Sequence, residues 1–316
     1  MADVLVTRRL PDGGTDPLIA AGHRVVGGTQ EGAWAPETLA QAAAESDGLV
    51  CLLADRIDRA VLEAGVAGSL KVVANVAVGY DNIDVAAAAE LGVKVCNTPG
   101  VLDQSTADLA FLLVLAAARL SSEAEADVRA GRWTGWSITG YLGRDVHGAT
   151  LGIVGYGRIG RAVAARGAGF GMDVIHHART PTGEPGYVAE LDELLERADI
   201  VSLHVPLTQA TTHLIGAREL ALMGPDAVLV NTARGAVVDE AALAEALHAG
   251  TIFAAGLDVF EREPEIHPRL LSAPRTVLLP HIGSATSDTR TAMARLACTQ
   301  VCDVLAGRAP AHLVRP

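Results

Sequence analysis

Large rings are scarce in this sequence: three Trp, four Tyr and four Phe among 316 residues, although 50% of the chain is hydrophobic. The core must be built mainly from Ala, Val and Leu, with 33 Gly to permit close approach. That composition suits α/β proteins, in which helices pack tightly on a sheet and turns are short. Basic charge is also short, since 25 Lys and Arg face 37 Asp and Glu, a formal net charge of −12. A nucleic-acid partner, which favours a basic face, is not expected. A local arginine can still hold a small anion against the global sign. Long apolar runs are missing too. LAFLLVLAAARL (109–120) is too short for a bilayer, which needs about 20 apolar residues. MADVLVTRRLP at the start has no apolar stretch behind its basic residues, so neither a membrane span nor a signal peptide is expected, and the expected location is the cytoplasm.

Cysteine is the last scarcity. Cys51 and Cys96 sit in apolar strand-like runs, and Cys298 and Cys302 lie one helical turn apart without a His or acid at metal spacing. They read as small buried hydrophobes, not as metal ligands, and nothing demands disulfides.

What is present is rhythm. VLVT (4–7), RVVGG (24–28), GLVCLL (48–53), KVVANV (71–76) and VKVCNT (93–98) read as strands, separated by helical stretches such as PETLAQAAAES (36–46) and IDVAAAAELG (83–92). Such βα units imply a parallel sheet with helices on both faces. The rhythm breaks at STADLAFLLVLAAARL (105–120), a long helix with a cap expected at Ser105 or Thr106, followed by a second helix over 121–133. A second series opens at LGIVGYG (151–157) and runs through DVIHH (173–177), IVSLHV (200–205), AVLVNTAR (227–234), AAGLDV (254–259) and TVLLPH (276–281). The tail (287–307) has the period of one amphipathic helix that would return to the first sheet. Two doubly wound parallel-sheet domains are expected, the second inserted into the first: residues 1–99 with 282–316, and residues 100–281.

Gly155-Tyr-Gly157-Arg158-Ile159-Gly160 is a GxGxxG between an apolar strand and a helix, the context that marks dinucleotide binding. Gly155 would permit the tight turn, Gly157 the approach of a pyrophosphate and Gly160 the packing of helix on strand. The N–H groups at the helix start, from Arg158 and Ile159 on, would face the phosphate charge. At the end of the second strand, where an NAD site usually has an acid for the ribose 2′-OH, MDVIHHARTP (172–181) has Ala178. Arg179 follows as a guanidinium for the 2′-phosphate of NADP, and Thr180 adds a hydroxyl. NADPH is therefore the expected cofactor, with NADH possible.

NTARG (231–235), LDVFEREP (257–264) and LPHIGSAT (279–286) all fall at carboxyl ends of expected strands, where open α/β sheets bind ligands. Arg holds a carboxylate with two parallel bonds, His exchanges a proton near neutral pH, and a carboxylate behind the His orients it and favours its charged form. With these stretches and AVGYDNID (77–84), NTPGVL (97–102), STADLA (105–110) and HVPLT (204–208) in this order, the chain resembles the D-isomer-specific 2-hydroxyacid dehydrogenase family over nearly its full length. Within that family it is most similar to the glyoxylate/hydroxypyruvate reductase branch.

The resemblance implies a flavodoxin-like substrate domain and a Rossmann-like nucleotide domain. It implies that Arg234 binds the substrate carboxylate and polarises the keto group, that His281 is the proton donor, and that Glu263 pairs with His281. Backbone N–H groups of Val78 and Gly79 would help hold the carboxylate, with Leu53 and Ser284 near the substrate. Thr106, Val205, Pro206, Thr232, Asp258 and Gly283 would surround the cofactor. It further implies a homodimer formed through the nucleotide domain, with GRWTGWSITGYLGRDVHG (131–148) as an exchanged arm and Trp136 reaching the partner's substrate site. The expected activity is reduction of small 2-keto acids, glyoxylate to glycolate and hydroxypyruvate to D-glycerate. The alternatives are a broader reductase of larger 2-keto acids, or a nucleotide-sensing binding protein of the same fold.

Overall fold

The computed structural model describes residues 1–315. The chain divides into two compact units, Met1–Leu102 with the chain from Ser284 onward, and Asp103–Gly283. The first is built on β1 (Asp3–Val6), β2 (Arg24–Gly27), β3 (Gly48–Cys51), β4 (Val72–Asn75) and β5 (Lys94–Cys96), with helices α1 (Asp16–Ala20), α2 (Pro36–Ala44), α3 (Arg59–Ala67) and α4 (Val85–Glu90). The strands are parallel in the order β2-β1-β3-β4-β5. Every residue of β3 and β4 is buried, which is why GLVC and VVAN are continuous apolar runs without alternation. Local chemistry sets the helix starts: Pro36 stands in the first turn of α2, while the Asp58 and Asp84 carboxylates accept from the N–H groups of Val61 and Ala87.

The second unit opens with α5 (Asp103–Ala118) and α6 (Ser121–Arg129). The expected cap is corrected here. The helix begins at Asp103, so Ser105 and Thr106 lie inside its first turn. Thr106 is buried there instead of capping. Then follow β6 (Thr150–Val154), α7 (Arg158–Gly169), β7 (Asp173–His177), α8 (Leu191–Arg197), β8 (Ile200–Leu203), α9 (Ala217–Met223), β9 (Val228–Asn231), α10 (Glu240–Ala249), β10 (Ala254–Leu257), α11 (Pro268–Leu271) and β11 (Thr276–Leu278). The parallel order β11-β10-β9-β8-β6-β7 puts a reversal between β6 and β8, the point at which such sheets open a ligand crevice. Helix α5 packs on β9, β10 and α7 with its Ala107, Ala110, Leu113, Val114 and Ala117 face. Gly256 of β10 makes this possible, because a Cβ there would sit 2.9 Å from Leu113 Cβ.

Helix α12 (Ser287–Leu305), capped by Thr286, packs against β3, β4, β5 and α1 of the first unit. All four cysteines are buried, and burial pushes the Cys96 and Cys298 thiols up to about 12. Among the described residues no single helix is long and apolar enough to cross a membrane.

Candidate active site

The glycine loop leaves β6 with Gly155 at φ +97°, in the left-handed region, and its N–H donates to the His177 carbonyl at 2.9 Å. A Cβ at Gly155 would lie 2.6 Å from the His204 carbonyl carbon. One at Gly160 would collide with the Gly155 carbonyl, so helix and turn can approach only as glycines. Gly157, the N-cap of α7, is different, for a Cβ there would meet no protein atom within 4 Å. It keeps clear the side from which a pyrophosphate would approach the N–H groups of Arg158 and Ile159. Tyr156, inside the motif, stacks on His176 with ring centroids 3.6 Å apart. His176 is fully buried in β7, its Nε2 bonded to Thr182 Oγ1 at 2.7 Å. Burial first, then Arg161 and His177, holds its pKa below the ordinary value. It is a neutral structural residue that ties the loop after β7 to the glycine loop.

That loop begins at half-buried Ala178 and carries Arg179 and Thr180 exposed. Arg161 is ion-paired with Glu184 farther along it, whereas Arg179 forms no ion pair among the described residues. The residues expected around the remainder of a dinucleotide also belong to this unit. Val205 is half-buried and Pro206 exposed after β8. Thr106 Oγ1 lies 3.6 Å from where a Cβ on Gly283 would stand. Thr232 Oγ1 is buried without a hydrogen-bond partner. A buried hydroxyl left unpaired costs about 1–3 kcal/mol. Together with the open face at Gly157, it fits a polar ligand lying along these strand ends.

Three strand ends meet. After β9, the Asn231 side chain folds the chain back by donating to the Arg234 carbonyl at 2.8 Å and accepting from the Ala233 N–H at 3.0 Å. Gly235 then lies so close to the next strand end that a Cβ on it would overlap the backbone of Phe260 and Glu261. After β10, the Phe260 N–H donates to Glu263 Oε1 at 3.0 Å and fixes that carboxylate. After β11, His281 adopts φ +53°, a conformation that non-glycine residues seldom take. Asp258 holds it there. Its carbonyl accepts from the His281 N–H at 2.9 Å, and its two carboxylate oxygens accept from the N–H groups of Ile282 and Gly283, each at 2.7 Å. Burial raises the Asp258 carboxyl above the usual range, against the pull of those two N–H groups.

The His281 ring reaches back to Glu263, with Nδ1 to Oε2 at 2.8 Å, and both side chains are about one-third exposed. Burial works to raise the Glu263 carboxyl. The hydrogen bond and charge of His281, the Phe260 N–H and the Arg234 guanidinium outweigh it and hold the group below its ordinary value. Glu263 is therefore an ionised acceptor. Nδ1 must donate to it, which leaves Nε2 as the ring nitrogen for proton transfer. Arg234, Asp258, Glu263 and His281 are thus gathered by the structure. Trp136 is not, since it stands 80% exposed on the arm. Leu53, Val78, Gly79 and Ser284 belong to the first unit, all half-buried. Sequence reading misses Asn75 and Asn97, two amides at strand ends of that unit that hold the Val78–Gly79 loop. Their signal is a polar residue closing an otherwise apolar strand.

A parallel α/β unit with a glycine-rich turn, and an Arg and a His–Glu pair at neighbouring strand ends, define an NAD(P)-binding oxidoreductase. The profile of the D-isomer specific 2-hydroxyacid dehydrogenase, NAD binding domain, matches residues 111–283. Glyoxylate reductase from Thermococcus litoralis is 46% identical over 98% of this chain and 96% of its own. A crystal structure of a Thermus thermophilus protein superposes with a TM-score of 0.93 at 45% identity, covering 99% of each chain. The NADPH-dependent glyoxylate/hydroxypyruvate reductase of Sinorhizobium meliloti, solved with NADP and malonate, gives 0.86 at 35% identity over 99% of this chain and 96% of that one. The chain belongs to the D-isomer specific 2-hydroxyacid dehydrogenase family.

Proposed function

We propose that the chain reduces glyoxylate to glycolate and hydroxypyruvate to D-glycerate, with NADPH preferred over NADH. The observation that carries this reading is the His281–Glu263 pair at 2.8 Å, with Arg234 close enough for its charge to act on Glu263. The small-acid assignment draws support from the glyoxylate reductases to which the chain is 43–46% identical over 98% of its length. The bound reduced nicotinamide would supply a hydride to the carbonyl carbon. Arg234 would hold the substrate carboxylate and draw electron density toward the keto oxygen. Charged His281 would deliver the Nε2 proton to that oxygen as negative charge develops, and Glu263 would balance the imidazolium before the step. The glycine loop, Thr106, Val205, Pro206, Thr232, Asp258 and Gly283 would hold the cofactor, and Leu53 and Ser284 would stand near the substrate.

The cofactor preference rests on exposed Arg179 and Thr180 following Ala178, where a carboxylate would repel the 2′-phosphate. The test is steady-state reduction of glyoxylate, hydroxypyruvate and larger 2-keto acids by purified protein with each cofactor. NADPH should be favoured in kcat/KM. Ala178→Asp combined with Arg179→Leu should invert the ratio. Equal use of both cofactors by the wild type would overturn the reading of this loop, and faster turnover of larger 2-keto acids would point to the broader reductase. No turnover at all would leave a nucleotide-binding protein.

A further inference from the structure

The loop that follows β4, VAVGYDN (76–82), turns its backbone in one direction. The Ala77 carbonyl accepts from the Thr98 N–H at 2.8 Å, the Val78 carbonyl from Asn97 Nδ2 at 2.7 Å, and the Gly79 carbonyl from Asn75 Nδ2 at 2.8 Å. All three peptides are trans, and in a planar trans peptide the N–H points opposite to the C=O. Three consecutive carbonyls captured from within therefore turn the N–H groups of Val78, Gly79 and Tyr80 outward. None of the three donates to a protein acceptor among the described residues. The capturing amides are themselves fixed. Asn75 is fully buried and also donates to Asn82 Oδ1 at 2.9 Å, so both its N–H bonds are used. Its Oδ1 accepts from the Cys51 thiol at 3.5 Å. Asn97 is anchored by Gln300 of α12, which is fully buried and donates to the Asn97 carbonyl at 2.9 Å.

We propose that Asn97 and Asn75 are positioning residues for the substrate carboxylate: by holding the Val78 and Gly79 carbonyls inward they present the Gly79 and Tyr80 N–H groups, with that of Val78, as a row of donors for an anion. The inference deepens the functional reading above and rests on it. A row of outward amides offers charge-assisted bonds to a carboxylate and nothing comparable to a neutral carbonyl compound, so it selects acids. Released from Asn97, the 78–79 peptide can rotate and withdraw its donor.

The experiment is Asn97→Ala, with Asn97→Ser as a second variant should the first fail to fold. The readouts are KM for glyoxylate, KM for NADPH, and calorimetric titration of oxalate into the NADP-saturated protein. Loss of one charge-assisted bond should raise the oxalate Kd and the glyoxylate KM by about 10-fold or more, while KM for NADPH holds within about twofold. Asn75→Ala should act in the same direction. Unchanged oxalate affinity, or equal losses for oxalate and NADPH, would overturn the positioning role. A wild type that binds oxalate but turns over no glyoxylate would instead sink the functional reading, and the oxalate titration would still decide the part played by Asn97.

Discussion

On the proposed reading, Arg234, Glu263 and His281 would divide the chemistry by what each group can and cannot do. A guanidinium is planar and presents parallel donors, whereas an ammonium is a point charge. Arg234→Lys should therefore lower kcat/KM for glyoxylate by about 100-fold although the charge is kept, about 3 kcal/mol at the transition state. Near wild-type kinetics would remove Arg234 from the site. Glu263 would act through charge. Reduction needs the imidazolium, and a neighbouring carboxylate favours it. Because Glu263 is held below the ordinary carboxyl value, it stays ionised from mild acid upward. Its contribution is fully present above about pH 4.3, the unfolded value, and is lost as pH falls through the lower folded one. Glu263→Gln keeps the size of the side chain and removes its charge, so kcat/KM for glyoxylate reduction at neutral pH should fall by about 10-fold or more while KM for NADPH holds. Unchanged kcat/KM in the variant would rule out the pairing as a source of activity.

At the scale of elements, the strand ends position those groups because β9, β10 and β11 are neighbours in the sheet. Gly235 is the tightest joint, where its backbone lies on that of Phe260 and Glu261. Gly235→Ala must push the Arg234 loop away from the Glu263 loop. The expected outcome is a destabilisation of about 1–3 kcal/mol together with a loss of kcat, read by thermal unfolding and by turnover below the new midpoint. Unaltered kcat in folded protein would show that the two loops need not touch. Sequence periodicity gives the buried strands and α5 because an apolar run bounded by glycine and polar residues has few other uses in a soluble fold. It passes over α1 and α11, five and four residues long, since so short a run has no period. It also misplaces the start of α5, where the second unit begins at Asp103 ahead of the expected cap. The Arg, Glu and His were legible as polar residues at strand ends. The Asn75 and Asn97 clamps and the Tyr156–His176 stack were not, because side-chain bonds across 4 to 20 residues leave no periodic trace.

At the scale of the whole molecule, the unexplained surface is the arm. Trp133, Trp136, Ile138 and Leu142 are 57%, 80%, 74% and 65% exposed, and Val128 on α6 is 58% exposed. Charge does not account for them, for Arg132 is paired with Asp127 and Arg144 with Asp226. A chain with a net charge of −12 repels its own copies at long range, so self-association must come from an apolar face with its charges already neutralised. We propose that a second copy covers this face, giving a homodimer through the nucleotide-binding unit. In a two-fold dimer each side chain counts twice, and burying a large apolar side chain contributes about 1.5–3 kcal/mol. Trp136→Ser should therefore weaken the dimer by about 3–6 kcal/mol, at least a 100-fold rise in Kd, measured by sedimentation over a concentration series. Whether Trp136 also reaches the partner's substrate site is a separate question with its own readout. At concentrations where Trp136→Phe remains dimeric, a changed ratio of kcat/KM between glyoxylate and larger 2-keto acids would place the ring beside substrate, and an unchanged ratio would confine it to the interface. A wild type that sediments as a monomer at every concentration would refute both.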